Sequence, residues 1–175
     1  MSDTNERVGE LPKPPTEIER KFLVTALPGD LDLTQYPAEK IDQGYLANTP
    51  DCAVRVRSKG ERYFLTYKSA PTDHAAERVE LETELTEDQF TTMWPGTVGK
   101  RLEKTRYRIP FGDNTIELDV FEGDNSGHIL AEVEFSSTDE ADLFQSPEWF
   151  SDDVTPDKRF GNSNIAEFGF PDLES

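Results

Sequence analysis

The stretch Glu17-Ile18-Glu19-Arg20-Lys21-Phe22-Leu23-Val24 reads as a strand whose charges lie two residues apart. Successive side chains of an extended chain point to opposite faces, so Glu17, Glu19 and Lys21 share one face and Ile18, Arg20 and Phe22 the other. This alternation alone leaves open which face is inside. The same spacing recurs in Arg55-Val56-Arg57, Glu80-Leu81-Glu82, Lys104-Thr105-Arg106, Glu117-Leu118-Asp119 and Glu132-Val133-Glu134. A further strand, Phe64-Leu65-Thr66-Tyr67-Lys68, adds a single lysine.

Two arrangements compete. With the charges facing water, Ile18, Phe22, Val54, Val56, Leu81, Leu118, Val120 and Val133 make an ordinary core. That explains amphipathic strands, but it does not explain why like charges are sorted by strand, since cross-strand pairing favours opposite charges. A cavity that receives both metal ions and phosphates needs such sorting. Carboxylate pairs bind hard divalent cations through oxygen, and Arg and Lys pairs bind phosphate oxygens. The sequence therefore predicts charges lining a polar lumen. The apolar faces then turn outward against helices carrying Phe90, Met93, Trp94, Leu143 and Phe144.

The remaining elements follow from period and punctuation. Strands are predicted over 17–24, 39–47, 53–58, 62–69, 77–85, 98–109, 115–121 and 129–135, with turns at Asn48-Thr49-Pro50-Asp51, Lys59-Gly60-Glu61 and Gly112-Asp113-Asn114. Thr86 caps a helix whose Phe90, Met93 and Trp94 share one face until Pro95-Gly96 stops it. A short helix over 138–144 and a last helix over 157–168, weakened by Gly161, complete the chain. The fold class is mainly β (α+β): an eight-stranded antiparallel β-barrel or tunnel with flanking helices. Residues 1–16, with Pro12, Pro14 and Pro15, read as a flexible arm, and 17–170 as the domain.

Charge bounds the partners. Asp and Glu number 36 against 18 Lys and Arg, a formal net charge of −18. The field of such a chain repels nucleic-acid phosphate. A small polyanionic substrate then needs a local basic cluster and bound metal, the surface charge being screened beyond ~10 Å. The single Cys52 forms no intrachain disulfide framework. There is no secretory leader pattern and no apolar run of about 18 residues, so a cytoplasmic protein without a membrane partner is expected. The oligomeric state is left open, a homodimer included. Gly96-Thr97-Val98-Gly99-Lys100-Arg101 lacks the spacing of a phosphate-binding loop, and His74 and His128 have no zinc-ligand spacing.

Taken in order, these motifs resemble the CYTH superfamily, the triphosphate tunnel metalloenzymes. Glu17, Glu19 and Lys21 resemble its Glu-x-Glu-x-Lys signature, Arg55 and Arg57 its Arg-x-Arg strand, and Lys68 its next lysine. Glu80 and Glu82 match the central acidic pair, Lys104 and Arg106 a second basic pair. Asp119, Glu132 and Glu134 match the late acidic positions. Lys158, in Asp157-Lys158-Arg159-Phe160, looks like the lysine brought over the tunnel mouth. The match is most like the short bacterial inorganic triphosphatases, from which the preceding arm is a departure that would alter access to one tunnel end.

The resemblance implies hydrolysis of inorganic triphosphate to pyrophosphate and phosphate by a metal-activated water. It places Mg²⁺ or Mn²⁺ at Glu17, Glu19, Glu80, Glu82, Glu132 and Glu134. The phosphate chain falls to Lys21, Arg55, Arg57, Lys68, Lys104 and Arg106. Asp119 is assigned to orienting a basic residue or a water, Lys158 to closing the site, and Glu17, Glu19 and Lys21 to the catalytic group. A thiamine or nucleoside triphosphatase, a class IV adenylyl cyclase and a non-catalytic polyphosphate-binding module remain as alternatives.

Overall fold

The computed structural model describes residues 15–70 and 77–172. The strands are β1 (Thr16–Leu23), β2 (Ala38–Asn48), β3 (Cys52–Lys59), β4 (Arg62–Ser69), β5 (Glu77–Leu85), β6 (Arg101–Phe111), β7 (Asn114–Phe121) and β8 (Ile129–Glu134). They close into a barrel in the order β1-β5-β4-β3-β2-β6-β7-β8, every pair antiparallel. The expected eight-stranded barrel is present. The proline-rich arm falls, up to residue 14, outside the described residues, and Thr16 already belongs to β1. No described helix is long and apolar enough to cross a membrane.

β1 makes the seam. Thr16 to Ile18 pair with β5, and Glu19 to Leu23 pair with β8. One strand thereby joins both ends of the sheet and closes the barrel. The β3–β4 and β6–β7 hairpins turn at Gly60 (φ 56°) and Gly112 (φ 59°), a backbone region that side chains with a Cβ seldom adopt.

Helix α1 (Glu87–Met93) opens with a capping box: the Thr86 hydroxyl accepts from the Gln89 amide, and the Gln89 side chain accepts from the Thr86 amide. A 3₁₀ turn over Trp94–Thr97 follows, so β6 begins at Arg101 rather than at Val98. The intervening Gly99, at φ 80°, is the turn that the strand reading overran. Helix α2 is Thr138–Leu143. The last helix is divided: a 3₁₀ turn over Lys158–Phe160, an extended Gly161, then α3 (Asn162–Phe168).

Apolar packing divides between the two faces of the barrel. Outside, Phe22, Leu118, Ala131, Val133 and Phe135 pack with Ala141 and Phe150, and Phe144 closes over them. This is the outward-turned core the alternation predicts. Leu143 does not join it and is exposed, because α2 ends there and only the next residue turns inward. α1 buries none of its residues; Phe90 instead stacks between Tyr63 and Trp94.

Inside, a second apolar cluster was not anticipated. Leu23, Tyr45, Leu102, Phe121 and Leu130 are inward positions, in phase with the charged residues of their strands, and they pack on Val154, Phe160 and Ile165. One end of the barrel is thus filled with side chains and covered by the C-terminal segment, and the polar lumen occupies the rest.

Gly44 lets the 3₁₀ turn dock on β2. A Cβ there would stand 2.5 Å from the Thr97 side chain. Thr97 is buried and held, donating to the Trp94 carbonyl and accepting from Arg101. Gly44→Ala is expected to destabilise the fold by about 1–3 kcal/mol through overpacking, read as a lower denaturation midpoint. An unchanged midpoint would mean that the turn yields freely.

Candidate active site

The lumen has an acidic and a basic wall. Following the barrel order, β7, β8 and β1 present Glu117, Asp119, Glu132, Glu134, Glu17 and Glu19, while β3 and β6 present Arg55, Arg57, Lys104 and Arg106. The sorting by strand is real but incomplete. Lys21 sits on the acidic side, 2.8 Å from Glu132, and Arg78 stands on β5 in phase with Glu80 and Glu82.

A cavity of about 290 Å³ opens between these walls. Glu17, Glu19, Glu80, Glu132 and Glu134 line it from the acidic side, and Arg55, Arg57, Lys68 and Arg106 from the basic side. The remaining sequence-derived candidates lie elsewhere. Lys21 and Lys158 face a second cavity behind it. Glu82 accepts from Arg57 and Thr66 at the cavity's edge. Lys104 and Asp119 are fully buried beneath the floor, joined at 2.5 Å.

The floor is one connected ion-pair network. Asp119 accepts from Lys104 and, through both oxygens, from Arg106 at 2.6 and 2.7 Å. Arg106 also donates to Glu117 and Glu132. Two parallel bonds to one carboxylate fix the guanidinium plane. Asn162 of α3 joins the network, donating to Glu132 and accepting from Lys104, each at 3.2 Å. Burial opposes ionisation of Glu132, but Lys21, Arg106 and Lys104 outweigh it and hold its carboxyl well below the usual range. Burial, with Arg106 beside it, lowers Lys104 to about 8 against the pull of Asp119.

On the basic wall two guanidiniums are left wanting acceptors. The Nε atoms of Arg55 and Arg57 are buried without a hydrogen-bond partner among the described residues. Burial, then the like charge of Arg55, brings Arg57 down to about 10. Buried donors without acceptors are costly. An anion entering the cavity supplies acceptor oxygens and relieves the like-charge crowding.

On the acidic wall the imbalance is reversed. Glu134 has no ion-pair partner among the described residues, and burial followed by the charges of Glu17, Glu117, Glu19 and Glu80 pushes its carboxyl pKa up. No three His, Cys, Asp or Glu side chains converge tightly enough to hold a metal ion among the described residues. Several of these carboxylates are engaged by lysine and arginine: Lys68 reaches Glu17 and Glu80, and Arg78 reaches Glu19 at 2.6 Å. The donor set still fits a hard divalent cation, being all oxygen and carrying at Glu134 an excess of negative charge that a cation neutralises.

Glu82 gives a pH dependence. Burial raises its pKa, but Arg57, the Thr66 hydroxyl and Lys59 together bring it down to about 2. A carboxylate depressed in the folded state stabilises the fold above its unfolded pKa, and that contribution is lost as pH falls from about 4.5 towards 2. Denaturation midpoints should fall across this interval, only modestly from this one group, because Glu82 is partly exposed and water screens its ion pairs. The fall should be shallower in Glu82→Gln; equal slopes would remove Glu82 as a contributor.

Reading the sequence alone misses Arg78 and Asn162. Arg78 carried a usable signal, its period-two phase with Glu80 and Glu82, which sorting by sign obscured. Asn162 carried none, since its role arises from where α3 lands. Lys59 and Arg108 also line the cavity. Arg20, inside the opening motif, points outward and binds Asp153 and the carbonyls of Ala141 and Phe144.

Comparison with known proteins agrees with this architecture. The CYTH domain model matches residues 15–165. An inorganic triphosphatase of Nitrosomonas europaea is 45% identical over 154 residues, covering 86% of this chain and 97% of that protein. An inorganic triphosphatase of Acetivibrio thermocellus is 34% identical over 152 residues, covering 86% of this chain and 93% of that protein. The crystal structure of the inorganic triphosphatase NE1496 aligns with a TM-score of 0.62 at 42% identity, over 86% of this chain and 94% of that one. With a family match over most of its length and relatives of this identity, the chain belongs to the CYTH domain family.

Proposed function

We propose that the protein is a divalent-metal-dependent inorganic triphosphatase that cleaves tripolyphosphate to pyrophosphate and orthophosphate inside the barrel. The observation that carries this reading is the pair of buried, unsatisfied guanidinium donors on Arg55 and Arg57, facing a wall of carboxylates across one cavity. An inorganic polyanion with its cation satisfies both walls at once. The two relatives named inorganic triphosphatase, similar over most of their length, support the choice of substrate.

In this reading Arg55, Arg57, Lys68 and Arg106 bind the phosphate chain, and their charge offsets the negative charge on the transferring group. Glu17, Glu19, Glu132 and Glu134 hold Mg²⁺ or Mn²⁺, which when bound supplies charge neutralisation and acidifies water. Water oxygen bonds to the terminal phosphorus as the bridging P–O bond breaks; the bridging oxygen stays with pyrophosphate and the water proton passes to solvent. Lys104 and Asp119 act from below by fixing Arg106. Lys21 holds Glu132 in place, and Glu80 and Glu82 hold Lys68 and Arg57.

The test is a substrate panel with Mg²⁺ or Mn²⁺: tripolyphosphate, pyrophosphate, thiamine triphosphate and nucleoside triphosphates, scored for phosphate release and for cyclic nucleotide. Preferential release from tripolyphosphate is expected, lost on chelation. Preference for an organic triphosphate, cyclic-nucleotide formation, or tight binding without turnover under either metal would each replace this reading.

A further inference from the structure

Behind the lumen lies a second cavity of about 490 Å³, between the start of β3, the end of β4 and the C-terminal segment. Glu19 and Lys68 line both cavities. Their side chains and partners form the partition: Lys68 to Glu17 at 2.6 Å, and Arg78 to Glu19 at 2.6 Å.

The rear cavity is lined by four cations, Lys21, Lys68, Arg78 and Lys158, against three carboxylates, Glu19, Asp157 and Glu167. Lys21, Lys68 and Arg78 are ion-paired with Glu132, Glu17, Glu80 and Glu19, which leaves Lys158 to meet an incoming anion. Lys158 is exposed and has no ion-pair partner among the described residues. Of the nearby acids, Asp157 is held by Arg159 at 2.8 Å, and Glu167, which accepts from the neutral Asn48 amide at 3.2 Å and keeps its charge, makes no ion pair with Lys158. Ser163 lines the same wall.

We propose that this rear cavity is a second anion site that takes inorganic orthophosphate, and that orthophosphate leaves the lumen through it. This rests on the triphosphatase reading for the source of the phosphate, but not for the site itself. Lys68 and its ion-paired neighbours form the partition, so an anion crossing it moves from the cations of the lumen to those of the rear wall. A small tetrahedral dianion exchanges places with a carboxylate on Lys68 and on Arg78 as it crosses. Lys158 receives it last. Pyrophosphate, larger and more highly charged, stays with Arg55 and Arg57 and leaves by the front.

Direct binding tests the site on the full chain. Orthophosphate titrated calorimetrically is expected to occupy two sites. Arg57→Ala weakens one of them; Lys158→Ala weakens the other by about tenfold or more, the loss of one charge-assisted contact. Ser163→Trp, which fills the rear cavity, removes that second site. So does alkylation of Cys52 with N-phenylmaleimide, Cys52 being the single thiol and part of the same wall. In rapid-mixing assays with tripolyphosphate, the filled protein should keep its first turnover and lose about tenfold in steady-state rate, as expected when release limits turnover. A single phosphate site, or a second one indifferent to Lys158→Ala and Ser163→Trp, overturns the proposal. If no triphosphate is hydrolysed by the unmodified protein, the enzyme reading fails and the binding result alone decides the rear site.

Discussion

Arg57→Ala is expected to lower kcat/KM for tripolyphosphate by roughly 10²–10³-fold, equivalent to about 2.7–4 kcal/mol of transition-state stabilisation, as for other preorganised charge-stabilising donors. The size follows from the setting. Arg57 lies in the lumen with Arg55, buried, its Nε lacking an acceptor, and burial together with Arg55 already strains its charge, to a pKa of about 10. Charge developing on the transferring phosphoryl group meets a donor that needs no reorganisation. In the free protein the Arg57 side chain also holds Glu82 at 2.5 Å, so Arg57→Ala frees a partly exposed carboxylate that water and Lys59 satisfy. The barrel should stay folded, with an unchanged circular dichroism spectrum. Wild-type kinetics would remove Arg57 from the site; a molten spectrum would make its role structural.

Asp119→Ala is expected to act on the fold itself, by about 3–5 kcal/mol, the usual effect of removing one partner from a buried ion pair. Asp119 is wholly buried and accepts from both Lys104 and Arg106. Without it two buried cations lose their shared counter-charge. Lys104, already lowered to about 8 with Asp119 present, then sheds its proton, and Arg106 keeps only Glu117 and Glu132. Equilibrium denaturation checks the loss. Asp119→Ala combined with Lys104→Met should be less destabilised than Asp119→Ala alone, since the orphaned ammonium is gone; additive effects would mean that the pair is not coupled.

Much of this architecture was legible beforehand. Period-two spacing in β1, β3, β5, β6, β7 and β8 identified both faces of each strand. Sorting by sign correctly indicated that the charged faces look inward, and Ile18, Phe22, Leu118 and Val133 pack outside as that reading requires. The failures have local causes. Gly99 delayed the start of β6 to Arg101, Gly161 split the last helix, and Leu143 sits one residue before Phe144, the residue that turns inward. Arg78 was overlooked because its strand reads as acidic, and Asn162 because a helical asparagine carries no periodic signal.

By itself, the chain determined which residues share a face and which strands carry cations or carboxylates, because side-chain direction depends only on neighbouring backbone torsions. Tertiary structure alone decided which opposite charges meet: Lys21 with Glu132, Arg106 with Asp119, Arg78 with Glu19. It also decided that Leu23, Tyr45, Phe121 and Leu130, in phase with the lumen charges, close one end beneath α3. These outcomes depend on strand register and on where the C-terminal segment lands, and both are set by contacts between residues far apart in sequence.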